Sequence, residues 1–361
     1  MTAATLPDQR RRFGVFERDD ELAAEHEQVV FCRDEPTGLK AIIAIHNTTL
    51  GPALGGTRCY PYKSEADALT DVLRLSRGMT FKAAAAGMPL GGGKAVLIGD
   101  PGQIMTAELL RAYGRFIESL GGRYITAADV GTGSRDLDVV GEVTRYVVGR
   151  SPANGGSGDS GWSTAYGVFC AMKTAAETLW GPEGLSGKTI GVEGLGKVGF
   201  HLVGLLVAHG AKVVVSDPSA GAVKRLVDVY GPVPVVADVV EAAIDIYAPC
   251  ALGATLTPRT VSALTAVLVC GAANNQLATP DVDAMLATRG VLWIPDFLAN
   301  AGGLIQVGSE LQDRSPAAVR SHIEGIGSTV SEILAAARHE GLPTGVCAAR
   351  IVESRLTGAS R

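Results

Sequence analysis

The 361-residue sequence lacks most features that would assign it quickly. It has no block of lysines and arginines and no basic stripe interleaved with aromatics. Its 32 basic residues against 37 acidic ones make it mildly acidic, which argues against nucleic acid as a partner. No run of 18 or more apolar residues is present, so no membrane span is expected. The opening stretch, MTAATLPDQRRRFGVFERDDEL, is polar where a secretory leader would be apolar, and a cytoplasmic protein is expected. Cys32, Cys59, Cys170, Cys250, Cys270 and Cys347 stand singly, with no C-x-x-C pair and no Cys/His cluster at ligand spacing. Neither a disulfide framework nor a metal site is expected, and a small uncharged or anionic ligand is left open.

What is present is length and rhythm. A chain of this size is too long for one ordinary core, so two domains are expected. Residues 28–32 and 40–49 are β-rich runs around a DEPTG break, which suggests a hairpin. Ala66, Leu69, Val72, Leu73, Ser76, Met79 and Ala83 recur at three- and four-residue steps and predict a helix over 64–86, ended by Gly87 and Pro89. Short strands over 95–98 and 123–126, with a helix over 106–120 between them, complete an α/β unit with mixed strands. Residues 149–162, GRSPANGGSGDSGW, read as a hinge or loop. Beyond them a helix over 164–180 leads into continuous apolar strands (TIGVEG, KVVVSD, VPVVA, DIYAPCA, AVLVCGAANN, VLWIP) alternating with helical segments. That alternation is the signature of a parallel sheet covered on both faces.

Gly194, Leu195, Gly196, Lys197, Val198 and Gly199 fit G-x-G-x-x-G. Alone the pattern is an ordinary glycine-rich turn, but here it ends an apolar strand, opens a helix, and precedes a second strand ending in Asp217, eighteen residues past Gly199. Gly194 permits the tight turn, Gly196 lets backbone N–H groups approach a pyrophosphate, and Gly199 allows close helix–strand packing. The carboxylate of Asp217 would accept hydrogen bonds from a ribose diol and repel a 2′-phosphate, so NAD is expected rather than NADP.

The stretch MTFKAAAAGMPLGGGKAV carries Lys82 and Lys94, twelve residues apart with no other charge between them. Lys82 could be a helix-end lysine whose stem packs while its head reaches water. Lys94 could belong to a phosphate loop, but Ala95 follows it where G-x-x-x-x-G-K-[ST] needs a hydroxyl for magnesium. A more coherent reading puts both in one crevice. One stays charged and pairs with an α-carboxylate, while the other, partly desolvated near a like charge, exchanges protons near the operating pH. Asp129, in YITAADVGTG, could be a strand-end turn former or the acid that completes the proton traffic.

The ordered motifs GPALGGTR, MTFKAAAAGMPLGGGK, ADVGT, GLGKVG, DIYAPCALG, GAANNQL and PDFLANAGG resemble those of the amino-acid dehydrogenases acting on leucine, valine and phenylalanine. The similarity runs from about residue 25 to about 307. It implies a two-domain α/β protein, with a mixed-sheet substrate domain over 1–148, a Rossmann-type doubly wound NAD domain over 149–335, and a final helix over 336–361 returning to the first. It also implies reversible oxidative deamination of an L-amino acid. By resemblance Lys82 binds the substrate carboxylate, Lys94 polarises the carbonyl through water, and Asp129 carries the proton to and from the amino group. Asn275, with Asn274, would hold substrate and ribose, and Thr164, Ala248, Pro249 and Cys250 would line the nicotinamide. Leu54, Gly55, Gly56, Ala127, Leu304 and Val307 would border the side-chain pocket.

In the related glutamate dehydrogenases a lysine stands where this chain has Leu54, so an apolar, branched-chain substrate is expected here. An aromatic L-amino acid is the alternative, and a catalytically silent nucleotide-sensing protein the reading from another class. A homo-oligomer, dimer or octamer, is implied by resemblance, with the N-terminal hairpin as a candidate edge.

Overall fold

The DEPTG break is a tight turn in the computed structural model, which describes residues 25–359. The Asp34 carboxylate accepts from the Thr37 N–H (3.2 Å) and hydroxyl (2.7 Å), and Gly38 takes φ +72°. The polar leading segment that argued against a secretory signal lies in 1–24, outside the described residues. The turn joins β1 (Gln28–Asp34) and β2 (Leu39–Asn47) as an antiparallel hairpin. With β3 (Ala53–Tyr60), β4 (Gly91–Ile98) and β5 (Tyr124–Ala128) they form a mixed sheet of order β1-β2-β4-β3-β5. β2 is antiparallel to β1 and β4, while β3 runs parallel to both β4 and β5.

The helix Glu65–Ala85 matches its expected span: the Ser64 side chain caps the Asp67 N–H at 3.1 Å, and Gly87 at φ +63° turns the chain away. It lies across one face of this sheet, and the helix Ala107–Ser119 covers the other.

One strand is longer than expected and another is unexpected, for one reason. β4 begins at Gly91 rather than at 95, and GPALGGTR, where no strand is expected, carries most of β3. These glycines are there because neighbours press on the strands. A Cβ on Gly92 would lie 2.1 Å from the Thr80 backbone nitrogen, so the helix could not seat on a strand with a side chain there. Gly92→Ala is therefore expected to cost about 3 kcal/mol of stability, the upper range for overpacking. A denaturant midpoint indistinguishable from wild type would show that the helix can slide away freely.

The second sheet is wholly parallel, in the order β10-β9-β8-β6-β7: β6 is Thr189–Glu193, β7 Lys212–Ser216, β8 Ile246–Pro249, β9 Leu268–Val269 and β10 Leu292–Trp293. The chain leaves β6 for β7 on one side and returns to β8 on the other, which opens a crevice at the carboxyl end of β6. VPVVA, expected as a further strand, makes only a bridge from Val235 to Val215. Pro232 and Pro234 have no N–H to extend the ladder.

The segment 149–162 is held to the second half. Glu310 accepts from the Gly149 N–H (3.0 Å) and Ser157 N–H (2.8 Å), and Gln306 donates to the Ser157 carbonyl (3.1 Å). The last helix, Thr344–Ala359, packs on Glu65–Ala85, where Arg355 donates to the carbonyls of Ala84 (2.9 Å) and Ala85 (2.7 Å). One apolar core runs between the halves, from Leu54 and Met88 to Leu304 and Ile305. Among the described residues, no helix is long and apolar enough to cross a membrane.

Candidate active site

Side chains alternate along a strand, so Leu54, Gly56 and Arg58 share one face of β3. Lys94 shares that face on β4, as do Ala127 at the end of β5 and Asp129 just beyond it. The helix Glu65–Ala85 lies over the same face and brings Lys82 in its last turn. The two lysines thus belong to facing elements, a helix and the strand beneath it, joined by the short connection over 86–90.

Lys94 is 5% exposed, and its Nζ lies 2.9 Å from Asp129 Oδ2. Arg58 Nε donates to the same oxygen at 3.0 Å. Burial would push the Asp129 carboxyl up, but the Lys94 ammonium and then the Arg58 guanidinium outweigh it and hold it at about 2. Lys82 is different. Desolvation pulls its ammonium down to about 8, the like charge of Lys94 adds to that, and the carboxylates of Asp296 and Asp129 oppose it. The amine driven toward neutrality is therefore Lys82, while Lys94 sits in an ion pair.

Lys82 Nζ donates across the cleft to Asn274 Oδ1 at 3.0 Å, and Asn300 Nδ2 donates to that oxygen at 2.8 Å. Beside Asn274, Asn275 takes φ +53°, a conformation asparagine tolerates. Asp296 is buried. Burial pushes its carboxyl up, against the opposing pull of Lys82 and of the N–H groups of Gln276 (3.2 Å) and Phe297 (2.9 Å).

The cleft encloses about 850 Å³. Leu54, Gly55, Gly56, Ala127, Leu304 and Val307 line it together with Lys82, Lys94, Asp129, Thr164, Asn274 and Asn275, and Lys197 and Val198 reach it from the glycine turn. Ala248 and Pro249 are not at its wall: both are buried in β8, paired with Val192 and Glu193. Cys250 follows them, its N–H donating to the Glu193 carbonyl at 2.7 Å. The strand end that carries them abuts the glycine turn, because a Cβ on Gly194 would meet Ala251 Cα at 2.9 Å.

The turn fits a dinucleotide. Gly194 has φ +92°, a Cβ on Gly199 would strike the Gly194 carbonyl oxygen at 1.9 Å, and a Cβ on Gly196 would enter open space. That space lies at the start of the helix Lys197–Ala208, which has no side-chain cap. Asp217 is fixed at the rim, accepting from the N–H groups of Leu195 (2.6 Å) and Ser219 (2.7 Å). Among the described residues no cluster of His, Cys, Asp or Glu could hold a metal ion.

Arg58, Asn300 and Asp296 were not singled out from the sequence. Reading GPALGGTR as a strand would have put Arg58 on the face of Leu54 by its period of two. The other two stand in PDFLANAGG, whose local pattern does not encode their contacts.

The model of the Glu/Leu/Phe/Val dehydrogenase dimerisation domain matches residues 26–146, and that of the Glutamate/Leucine/Phenylalanine/Valine dehydrogenase domain matches 155–231 and 223–340. A valine dehydrogenase of Streptomyces albus is 53% identical over 339 residues, covering 92% of this chain and 93% of its own length. A leucine dehydrogenase of Bacillus subtilis is 46% identical over 333 residues, covering 92% of each. The crystal structure of L-tryptophan dehydrogenase from Nostoc punctiforme superposes with a TM-score of 0.79 at 41% identity, over 93% of this chain and 97% of that one. A paired lysine and aspartate beneath a second lysine, a dinucleotide turn facing them, and matches across both halves lead to one conclusion: the chain belongs to the Glu/Leu/Phe/Val family of amino-acid dehydrogenases.

Proposed function

We propose that this enzyme oxidatively deaminates a branched-chain aliphatic L-amino acid with NAD. The zwitterionic amino acid, NAD⁺ and water give the 2-oxo acid, ammonium, NADH and one proton, and the reaction runs in both directions. The observation that carries the substrate class is the wall beside the lysines: Leu54 is 0%, Leu304 6% and Val307 9% exposed, with Ala127 next to them. An apolar side chain can be desolvated there at no electrostatic cost. The valine and leucine dehydrogenases among the relatives support the same choice.

In this reading residues 1–148 bind substrate and associate with other subunits, 149–335 hold the dinucleotide, and 336–361 return to the first part. The chemistry a bound NAD supplies is two-electron oxidation, in which the α-hydrogen leaves with its bonding pair. Gly194, Gly196 and Gly199 cradle the pyrophosphate, and Asp217 favours the ribose diol of NAD over a 2′-phosphate. Lys82 pairs with the α-carboxylate, aided by Asn274 and Asn275. Asp129 takes the proton of the substrate amino group. Lys94 orients the attacking water and stabilises the oxygen that develops in the carbinolamine. Dryness matters, because the imino acid must meet water only at that position.

Each L-amino acid, offered singly with NAD at alkaline pH while absorbance of the reduced cofactor is followed, tests the proposal. Turnover of valine, leucine and isoleucine is expected. Fastest turnover of phenylalanine or tryptophan would move the assignment to an aromatic substrate, and dinucleotide binding without any reduction would mean a silent sensor.

A pH dependence follows from Lys82. Its ammonium is lost as pH rises through about 8, so carboxylate binding weakens above that point. The substrate carboxylate supplies a counter-charge, so the loss is delayed in the bound state. With ammonia saturating, KM for the 2-oxo acid is expected to climb above pH 8 while kcat holds. A KM flat to pH 10 would mean that Lys82 does not bind the carboxylate.

A cytoplasmic homo-oligomer is also proposed. β1 is an edge strand of the first sheet with Phe31 60% exposed, in the half matched by a dimerisation-domain model.

A further inference from the structure

The acid of the site is held by a residue that none of these assignments involve. Arg58 spans two carboxylates: Nε donates to Asp129 Oδ2 at 3.0 Å and Nη1 to Asp71 Oδ2 at 3.0 Å. The Tyr62 hydroxyl donates to that same Asp71 oxygen at 2.6 Å. A line of contacts therefore runs from Tyr62 through Asp71, Arg58 and Asp129 to Lys94, joining the helix that carries Lys82 to the strand that carries Lys94. The side chains of Arg58 and Asp129 are only 21% and 19% exposed, so water screens the contact weakly.

A strut between sheet and helix would be the plain role for such an arginine, and the bond to Asp71 alone would serve it. The second arm is what calls for another role. It lands on the carboxylate oxygen that Lys94 also contacts, so both cations gather on Oδ2. Among the described residues Oδ1 accepts no hydrogen bond, and Asp129 lines the cleft. Only a planar fork can reach both carboxylates from one β3 position, and the compact ammonium of a lysine cannot.

We propose that Arg58 is a positioning residue that fixes the Asp129 carboxylate with Oδ2 on Lys94 and Oδ1 toward the substrate amine, and keeps it ionised until that amine arrives. Asp71 and Tyr62 fix Arg58 in turn. This rests on the deamination reading above for its consequence in catalysis, but not for its effect on Asp129 itself. The charged and titratable groups around Asp129 are Lys94 from β4, Arg58 from β3, Lys82 and Asp71 from the overlying helix, Tyr124 from β5, and Tyr62, with Asp296 acting through Lys82. Arg58 is the second of the two cations that oppose burial there. Asp129 must be a carboxylate to accept the amine proton, so activity falls as pH drops through its pKa, and losing Arg58 moves that limb upward.

The experiment uses the full chain in its native assembly, with Arg58→Gln, Arg58→Lys and Asp71→Asn. Protonation of Asp129 is followed by infrared difference titration, its band identified by its loss in Asp129→Asn. The acidic limb of kcat/KM for L-valine is measured alongside. Arg58→Gln is expected to raise the Asp129 midpoint by more than one pH unit, to move the acidic limb in the same direction, and to lower kcat by about 100-fold, as misplaced catalytic groups do. Arg58→Lys should restore most of the midpoint but little of the rate, because it keeps the charge and loses the fork. Asp71→Asn should lose rate with a smaller shift of the limb.

An unchanged Asp129 midpoint in Arg58→Gln overturns the proposal and leaves Arg58 a strut. If Arg58→Gln does not fold, wild-type rate and limb in both Arg58→Lys and Asp71→Asn overturn it equally. If none of the L-amino acids offered to wild-type protein supports reduction of NAD, the deamination reading fails, while the infrared midpoint still decides the case for Arg58.

Discussion

Lys94→Ala is expected to lower kcat by at least about 1,000-fold while NADH binds nearly as in wild type, since one positioned acid–base group contributes about 10²–10⁴-fold and, in the proposed mechanism, Lys94 also stabilises developing charge. The separation of effects follows from placement. Lys94 is buried in the central strand of the first sheet, 2.9 Å from Asp129, whereas the dinucleotide turn belongs to the second sheet. Removing the ammonium does not strand Asp129 as an unpaired buried charge, because Arg58 still donates to it at 3.0 Å. The folded state should therefore survive, and an unfolding midpoint measured beside kcat and the NADH dissociation constant distinguishes chemistry from collapse. A variant that retains a tenth of the wild-type rate would show that the oxygen chemistry has been given to the wrong amine.

What made this site legible in the sequence was contrast. Lys82 and Lys94 stand out because they carry the only charges in a stretch of small and apolar residues, and the fold supplies the reason by putting one on a helix and one on the strand below it. Regular periodicity gave the helix Glu65–Ala85 to within a residue or two. Glycine was misleading where it serves close packing rather than turning: Gly91, Gly92 and Gly93 read as a loop, yet they form the start of β4 under the helix. The same confusion hid β3 and, with it, Arg58. A propensity scale records what glycine does to a free chain, whereas here the deciding term is the backbone of Thr80 lying where a side chain would go. Asn300 was hidden for another reason. Its partners, Ala272 and Asn274, come from the loop after β9, and no local pattern encodes a contact of that kind.

L-Glutamate is expected to be turned over with kcat/KM at least about 1,000-fold below that of L-valine, because an ionised carboxylate buried without a partner costs several kcal/mol. In the proposed binding mode, with the α-carboxylate on Lys82 and the amine at Asp129, the side chain would point to Leu54, Ala127, Leu304 and Val307, all of which line the cleft. The floor behind them is closed: a Cβ on Gly308 would meet Met88 Cε at 2.7 Å and Leu90 Cδ1 at 2.9 Å, so little room is left for water to follow an anion in. The other cations of the cleft are committed or remote. Arg58 and Lys94 hold Asp129, Arg77 pairs with Glu25 at 3.3 Å, Lys197 pairs with Asp159 at 2.7 Å, and Arg74 at the rim is exposed to solvent. Among apolar substrates the same wall discriminates weakly, since one methylene is worth about 1–3 kcal/mol. Valine, leucine and isoleucine should therefore fall within about 100-fold of one another, far closer together than any of them is to glutamate. Glutamate turnover within tenfold of valine would require a cation in the side-chain pocket, and the substrate would then have to lie in the cleft the other way round.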